Sequence, residues 1–255
     1  MPNDLELASS LVRDAGELAD RMRQVGVGVH YKTSVSDIVT AADRAAEELV
    51  VARLLTERPD DGLVGEEGSD APGKRTWFID PVDGTYNFAA GLPIWCSALA
   101  LVDGGAPITG AVFQPPTGEL WLGGPDWRTT CNGDRLPPLA DARLADVSVA
   151  SYLHPTTLPD DDVRLPLLRA IEPAATVRML GSGSVELAAV AAGRLGAFIQ
   201  YDCLPWDWYP GSTLVVAVGG VARVVELRGR RWHLAGPERV VDELHQRLIL
   251  DDSGS

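Results

Sequence analysis

Apolar residues recur with helical spacing at the beginning of the chain, where positions 7, 11, 15, 18 and 22 predict a helix over Asp4–Arg23. Patterns and start signals of the same kind predict further helices, and short apolar runs between glycine and proline residues predict strands. The other helices are expected at Thr40–Thr56, Asp161–Ile171, Val185–Ala192, Tyr209–Val218 and Glu238–Leu248. The strands are expected at Gly62–Gly65, Thr76–Asp80, Ile94–Val102, Ile108–Gln114, Glu119–Gly123, Val147–Ser151, Val177–Leu180, Gly196–Tyr201, Val221–Leu227 and Arg231–Leu234.

The order of these elements predicts two subdomains. Residues 1–143 combine two helices with a run of strands joined by Gly/Pro turns, which indicates an α+β unit with mostly antiparallel pairing. Residues 144–255 alternate strands with helices, which is typical of an α/β unit. Between them, Arg135–Arg143 is rich in proline and leucine and is interpreted as a linker.

Composition narrows the possible partners and compartment. The 255 residues carry a net charge of −14, which argues against nucleic acid or an anionic membrane as the main partner. Three cysteines, Cys96, Cys131 and Cys203, have neither disulfide-framework nor zinc-site spacing. No run is long and apolar enough to span a bilayer, and the N-terminus does not resemble a leader, so we expect a cytoplasmic enzyme. The four histidines, at 30, 154, 233 and 245, lie in no motif and are expected at the surface or in packing.

The segment Asp80–Asn87, with the sequence DPVDGTYN, is the most informative motif in the chain. It follows the apolar stretch Trp77–Ile79, which is interpreted as the end of a buried strand. Two carboxylates three positions apart can hold one hard divalent cation or bridge two, and Mg²⁺ prefers such oxygen ligands. Gly84 lets the backbone turn close to a ligand, and the Thr85 hydroxyl can orient a water molecule. The alternative is an ordinary surface turn, because Asp, Pro, Gly and Asn are common turn residues.

Other acidic residues support the metal-binding interpretation, although each also has a simpler one. Glu66 and Glu67 follow the apolar run 63–64 and are flanked by glycines, so they fit a solvated acidic loop as well. Asp43 lies three residues after Thr40 and fits a capping box at a helix start. Asp207 precedes an apolar run and fits a helix N-cap, with a proline in the first turn.

Taken in order along the chain, these blocks resemble the inositol monophosphatase family, which belongs to a wider superfamily of lithium-sensitive, magnesium-dependent sugar phosphatases. The resemblance extends from Lys32 to Gly220. It implies a layered α-β-α-β-α sandwich of the inositol monophosphatase / fructose-1,6-bisphosphatase type. It further implies lithium sensitivity and a homodimer. Lys32 matches a lysine near the family's active-site loop, although a single lysine is more often a solvated surface residue.

The resemblance assigns roles to particular residues. Glu66, Asp80 and the Val82 carbonyl would hold a first Mg²⁺ ion, and Asp80, Asp83 and Asp207 a second. A third, weaker ion would depend on Glu66 and Glu67 through water. The nucleophilic water would be positioned by Thr85, supported by Asp43, together with Glu66. The amides of Gly84 and Thr85 would face the phosphate, while Gly181, Ser182 and Gly183 would contact the sugar ring at the start of a helix. Two or three Mg²⁺ ions per site are therefore implied.

Two departures from the family concern the substrate. Where inositol phosphatases usually carry a glutamate that grips inositol hydroxyls, this chain has Gln200, which keeps hydrogen-bonding capacity but lacks the charge. Asp202 would share a face with Gln200 if both lay in one strand. After Asp207 the chain has Trp208 and Tyr209 where relatives have small residues. These rings would either narrow the mouth of the site or pack away from it.

The sequence thus predicts a Mg²⁺-dependent phosphomonoesterase for a small polyol or sugar phosphate, with inositol 1-phosphate as the first candidate. Histidinol phosphate, fructose 1,6-bisphosphate and adenosine 3′,5′-bisphosphate remain alternatives. A different class, a catalytically weak regulatory protein that binds metal and phosphate, is disfavoured because every expected ligand is present.

Overall fold

The computed structural model describes residues 3–25, 29–31 and 38–250, so Lys32 lies outside the described residues. Six of the α-helices in the described residues lie within four residues of the predicted bounds, whereas the short helix at Thr85–Ala89 was not predicted. The helices are α1 (Asp4–Gln24), α2 (Ala41–Glu57), α3 (Thr85–Ala89), α4 (Asp161–Ile171), α5 (Gly183–Ala191), α6 (Pro205–Ala217) and α7 (Glu238–Leu248), with a 3₁₀ turn at Leu144–Asp146.

The strands form two large sheets and one small ribbon. The ribbon pairs β1 (Val29–Tyr31) with β2 (Ile38–Thr40). The first sheet contains β3 (Gly62–Gly65), β4 (Asp70–Ala71), β5 (Arg75–Asp83), β6 (Cys96–Asp103), β7 (Ala106–Gln114), β8 (Glu119–Gly124), β9 (Trp127–Cys131) and β10 (Asp134–Arg135). The second contains β11 (Ser148–Tyr152), β12 (Thr176–Arg178), β13 (Ala197–Tyr201), β14 (Val221–Leu227) and β15 (Arg230–Gly236).

The order of the strands in each sheet determines which strand ends lie next to one another. The first sheet has the order β10-β9-β8-β7-β6-β5-β3-β4 and is antiparallel except for the parallel pair β3 and β5. The second has the order β12-β11-β13-β15-β14, with β11 parallel to both β12 and β13. Each sheet therefore has an edge at which the carboxyl ends of neighbouring parallel strands come together, the usual place for a ligand.

Three large apolar cores hold the five layers together in the described part of the chain, and a fourth, smaller cluster surrounds Phe88 and Trp95. One core joins α1 and α2 to the first sheet, and another joins α4 and α7 to the second. The third is built on α5 and α6, which lie between the two sheets. This arrangement confirms the predicted α-β-α-β-α sandwich.

The sequences of the helices match their positions in the layers. Helix α1 is amphipathic and buries Leu7, Leu11 and Ala15 on one stripe, because only one side faces a sheet. Helices α5 and α6 are apolar on most sides, because each is enclosed by a sheet and by the other helix. A Cβ at Gly211 of α6 would lie 2.3 Å from the Leu187 Cβ, so glycine permits the close approach of these helices.

The structure differs from the predicted elements at a few places. Helix α6 begins at Pro205, four residues before the predicted start, because proline is accepted in the first helical turn. Strand β5 runs on through Asp83 instead of ending at Asp80. Strand β9 was not predicted, because its sequence does not alternate between apolar and polar residues and only Thr129 is buried.

Candidate active site

The acidic motif lies at the carboxyl edge of the first sheet. Strands β3 and β5 are parallel, with Gly65 opposite Ile79, so Glu66, which follows β3, lies beside Asp80 of β5. The Glu66 N–H donates to the Ile79 carbonyl at 3.1 Å and ties the two strand ends together. The pairing of β5 with β6 shifts between Asp80 and Asp83, which is a bulge in the strand. A bulge changes the direction of side chains, and here it accompanies two buried carboxylates on one strand end.

Asp207 joins these carboxylates from the other half of the chain. Carboxylate oxygens of Asp80, Asp83 and Asp207 all lie within 4.8 Å of one another. The interpretation of Asp207 as an N-cap is wrong: Leu204 occupies the cap position, and Asp207 lies within the first turn of α6. An acid there is favoured by the positive end of the helix dipole. Residues 127 positions apart in sequence are thus brought into one cluster that could hold a metal ion.

Crowding of negative charge is the main electrostatic feature of the cluster. Burial raises the pKa of Asp80 well above its usual range, and the charges of Glu66 and Asp83 raise it further. Burial likewise raises the pKa of Asp207, with Asp83 adding to the rise. Like charges in a buried place repel one another, so a cation between them relieves a large unfavourable energy. The donor set consists of hard oxygen ligands, which suits a Mg²⁺-type ion.

A hydroxyl-carboxylate pair lies next to the cluster. The Thr85 Oγ1 atom lies 3.0 Å from Asp43 Oδ1 and 3.0 Å from the Val82 carbonyl oxygen. Asp43 is fully buried and also accepts hydrogen bonds from the N–H and hydroxyl of Thr40, which forms the predicted capping box of α2. Burial raises the pKa of Asp43 to about 6, and the charge of Glu67 contributes. The expected contact between Thr85 and Asp43 is therefore present.

Two glycine turns face each other across the cluster. Gly84 has φ 94°, and a Cβ there would lie 3.0 Å from the Ile94 carbonyl oxygen and 3.1 Å from that of Gly181. Asp83 accepts the N–H of Gly183 at 3.2 Å and that of Ser184 at 2.5 Å, so it satisfies free amides at the start of α5. The turn that precedes α5 is consequently attached to the metal-site strand.

A cavity of about 390 Å³ opens above the cluster. On the metal side its wall contains Glu66, Asp83, Thr85 and Asp207. Asp43 and Asp80 are not part of this wall, because they are buried beneath it. Glu67 and Val82 also lie outside the wall, and Val82 is fully buried.

The same wall also carries the other predicted substrate contacts. They are Gly84 between β5 and α3, Gly181, Ser182 and Gly183 at the start of α5, and Gln200 near the end of β13. Every residue predicted to contact substrate therefore lies on the cavity wall, although their roles stay predictions.

Sequence reasoning missed other residues of the same wall. Tyr152, His154 and Thr156 follow β11, and Tyr152 lies opposite Gln200 in the parallel pair of β11 and β13. His154, expected at the surface or in packing, is half-buried and lines the cavity, and the centroid of its ring lies 6.0 Å from that of the Tyr152 ring. Its Nδ1 accepts the Thr156 N–H at 3.2 Å. The parallel pairing, which places both strand ends at one edge, was the signal that could have found them.

Three other wall residues were missed as well. Tyr86 and Leu204 are half-exposed at the wall, and Glu186 of α5 is almost completely buried behind it. Tyr86 belongs to the DPVDGTYN segment, but no role was assigned to it there, and Leu204 lies in no motif. Glu186 was hidden in an apolar helical pattern.

The structure answers two questions about substrate selection that the sequence left open. Asp202 does not share a strand face with Gln200, because β13 ends at Tyr201 and Asp202 turns away with φ 50° to pair with Arg231 at 3.0 Å. Trp208 does not narrow the cavity: it is only 6% exposed, belongs to the core between the sheets and lies 5.0 Å from the His233 ring.

Tyr209 also packs away from the cavity. Its ring lies 4.9 Å from that of Phe78 on β5. Both aromatic residues after Asp207 therefore fix α6 against the rest of the molecule, which was the alternative interpretation.

Comparison with known proteins assigns the class. A sequence model of the inositol monophosphatase family matches residues 3–251. The inositol-1-monophosphatase ImpA of Mycolicibacterium smegmatis is 36% identical over 246 residues, covering 90% of this chain and 86% of the relative. The fructose-1,6-bisphosphatase/inositol-1-monophosphatase of Thermotoga maritima is 32% identical over 219 residues, covering 85% and 83%. Together with the acidic cavity, these relatives define a phosphoric monoester hydrolase.

Solved structures agree with that assignment. The Thermotoga maritima IMPase superposes with a TM-score of 0.83 at 28% identity, covering 97% of this chain and 98% of the other. The chain belongs to the inositol monophosphatase family. Within the described part of the chain, no helix has the length and apolar character needed to cross a membrane.

Proposed function

We propose that this protein is a Mg²⁺-dependent phosphatase that hydrolyses a small polyol or sugar phosphate, with inositol 1-phosphate as its first candidate substrate. The observation that carries the proposal is a group of three carboxylates, the buried Asp80 and Asp83 and the partly buried Asp207, at a cavity large enough for a small ligand. A phosphate monoester is a dianion, so its hydrolysis needs neutralised charge and an aligned nucleophile more than it needs a histidine.

The residues that hold the metal are assigned from the family resemblance and the cluster. Glu66, Asp80 and the Val82 carbonyl hold one Mg²⁺, and Asp80, Asp83 and Asp207 hold a second. A third ion depends on Glu66 and Glu67. When bound, the ions stabilise charge on the phosphate oxygens and lower the pKa of water.

Thr85 and Asp43 position the attacking water in this proposal. When the Thr85 hydroxyl donates to Asp43 Oδ1, 3.0 Å away, its lone pairs are free to accept a hydrogen bond from water. Glu66 on the cavity wall accepts a hydrogen bond from the other O–H of the same water. Since Asp43 is held by Thr40 and fully buried, the direction of the Thr85 hydroxyl is fixed before substrate arrives.

The amides of Gly84 and Thr85 face the phosphate, and Gly181, Ser182, Gly183 and Gln200 face the alcohol part. Asp83 and Asp207 complete the substrate contacts. The Tyr152 and His154 side chains extend the same wall beyond Gln200, so we include them among the residues that contact the leaving group.

Fructose 1,6-bisphosphate is a second candidate, because relatives from Thermotoga maritima and Aquifex aeolicus carry both activities in their names. Histidinol phosphate and adenosine 3′,5′-bisphosphate stay in the test because Gln200 departs from the family's usual glutamate. A catalytically weak binding protein is the remaining alternative.

The test is phosphate release with Mg²⁺ from those four substrates, with β-glycerol phosphate as a small reference. Fastest turnover of inositol 1-phosphate supports the proposal, and preference for another member reassigns the substrate. If none is turned over while Mg²⁺ still binds, the binding-protein alternative replaces the proposed enzyme.

The cellular compartment and the oligomeric state of the enzyme are also proposals. We propose a cytoplasmic homodimer, and the free cysteines Cys96, Cys131 and Cys203 support a reducing compartment. Cell fractionation and sedimentation measure these two properties. The division into subdomains 1–143 and 144–255 is supported by the separate sheets on either side of it, and limited proteolysis within 136–143 tests it.

A further inference from the structure

Two buried glutamates near the site have no role in the scheme above. Glu47 lies in the middle of α2 and is 2% exposed, and Glu186 lies in the first turn of α5 and is 1% exposed. A buried carboxylate is costly unless its oxygens are hydrogen-bonded, so its partners indicate its purpose. In both cases the partners include backbone N–H groups of a loop that reaches the metal cluster.

Glu47 holds the loop that carries Glu66 and Glu67. Its Oε2 accepts the Glu67 N–H at 2.8 Å, and its Oε1 accepts the Ser69 N–H at 3.0 Å. A Cβ on Gly65 would lie 2.4 Å from the Glu47 carboxyl carbon, so only glycine lets the carboxylate lie against this loop. The side chain therefore fixes the turn from both sides of Gly68.

Glu186 holds the turn before α5. Its Oε1 accepts the Leu180 N–H at 2.6 Å and the Gly181 N–H at 3.3 Å. The Asn87 amide fixes the same peptide groups from the other side, donating to the Leu180 carbonyl at 2.7 Å. Because Asp83 accepts the Gly183 and Ser184 amides of this turn, the position of the turn determines where Asp83 points.

We propose that Glu47 and Glu186 are positioning residues for metal binding, each holding one loop of the metal site through two backbone N–H groups. Glu47 sets the position of Glu66, and Glu186 sets the position of Asp83. This inference rests on the proposed function for the identity of the metal ligands. Partners of metal ligands commonly change metal affinity by about 10–100-fold when they are removed, although they touch no metal themselves.

The first test removes each acceptor while keeping its volume. Glu47→Met and Glu186→Met are expected to weaken Mg²⁺ binding, measured by calorimetry, by about tenfold or more. Glu186→Gln retains the single oxygen that accepts both amides, and it is expected to stay within about threefold of the parent protein. Glu47→Gln keeps an acceptor for only one of its two amides, so its Mg²⁺ affinity is expected to lie between those of the parent and of Glu47→Met. Glu238→Met is the control, because Glu238 is an exposed first-turn acid of α7 and belongs to no site loop.

The second test needs no metal or substrate. In the metal-free protein, Glu47→Met is expected to speed amide exchange about tenfold at residues 67 and 69, and Glu186→Met at residues 180 and 181. Each variant is the control for the other, because the two loops use separate acceptors. If Glu186→Met does not fold, Asn87→Leu removes the other support of the same peptide groups and takes its place.

The proposal is overturned if the Met variants exchange faster yet bind Mg²⁺ like the parent, or if exchange at the four amides is unchanged. If the two glutamates had a purely structural role, the Met variants would be less stable. The Met and Gln variants would then bind Mg²⁺ equally well at a temperature where both are folded. Failure of the proposed function has a different signature, since the parent would then bind Mg²⁺ but hydrolyse none of the substrates.

Discussion

Substitution of Asp83 gives the most specific prediction, because this residue makes two kinds of interaction in the structure. It belongs to the carboxylate cluster, and it accepts the amides of Gly183 and Ser184 at the start of α5. The substitution Asp83→Asn keeps the size of the side chain but removes its charge. The oxygen of asparagine can accept one of those amides, whereas its NH₂ group faces the other donor.

The expected magnitudes follow from these contacts. Loss of one acceptor for a buried N–H costs about 1–3 kcal/mol. In the metal-free protein this loss is offset by relief of the repulsion with Asp80 and Asp207, so the variant folds with similar stability. With Mg²⁺ at a hundred times its Kd, the parent gains about 2.7 kcal/mol of stability, a gain that the variant lacks. Turnover falls by at least about a hundredfold, or about 2.7 kcal/mol in the barrier.

Two assays on the same samples separate these effects. Thermal unfolding with and without Mg²⁺ measures the metal-dependent gain in stability, and phosphate release measures turnover. Asp134→Asn, an exposed aspartate on β10, is the matched control and should resemble the parent in both. Turnover of Asp83→Asn within tenfold of the parent, with metal stabilisation intact, would refute the assignment of Asp83 to the metal.

Three further predictions concern other parts of the molecule. Thr85→Ala should lower kcat by about a hundredfold at saturating Mg²⁺, while Thr85→Ser, which keeps the hydroxyl beside Asp43, should keep most of it. His154→Ala should raise the KM of the preferred substrate about fivefold with little change in kcat, the value of one hydrogen bond, and an unchanged KM would remove His154 from the leaving-group wall. Burial lowers the pKa of His233 to about 4. Between pH 6.5 and 4 only the unfolded chain therefore binds that proton, so the free energy of unfolding decreases as the pH is lowered, by up to about 3 kcal/mol. His233→Asn, which keeps an acceptor for the Cys203 N–H, should flatten that acid slope in denaturant titrations, and an unchanged slope would contradict the reasoning.

Lithium inhibition is expected from the family resemblance. A lithium titration of phosphate release at fixed Mg²⁺ measures it, and activity that does not change across the titration would count against it.

Local chemistry made much of this protein predictable from its sequence. Helices α4 and α7 have the predicted bounds, since their amphipathic periods and terminal signals lie within each segment. The DPVDGTYN segment identified Asp80 and Asp83, because two acids, a proline and a glycine at fixed spacing are themselves the chemical signal. The order of the acidic blocks then identified Asp207 as their partner.

Only the tertiary structure decided what surrounds these residues. Tyr152 and His154 reach the cavity because β11 lies parallel to β13, a pairing that no local pattern records. The side chain of Asp202 points towards its ion-pair partner Arg231, and that of Trp208 points into a core formed by distant segments.

The two buried glutamates were hidden for the same reason. In the sequence, Glu47 is one of several acids in its helix and Glu186 is a single acid in an apolar one, whereas their role comes from loops folded against them. A residue's chemical type is a property of one position and is present in the sequence. The direction of a side chain, the partner of a buried carboxylate and the wall of a cavity depend on several distant segments at once, so they exist only in the folded chain.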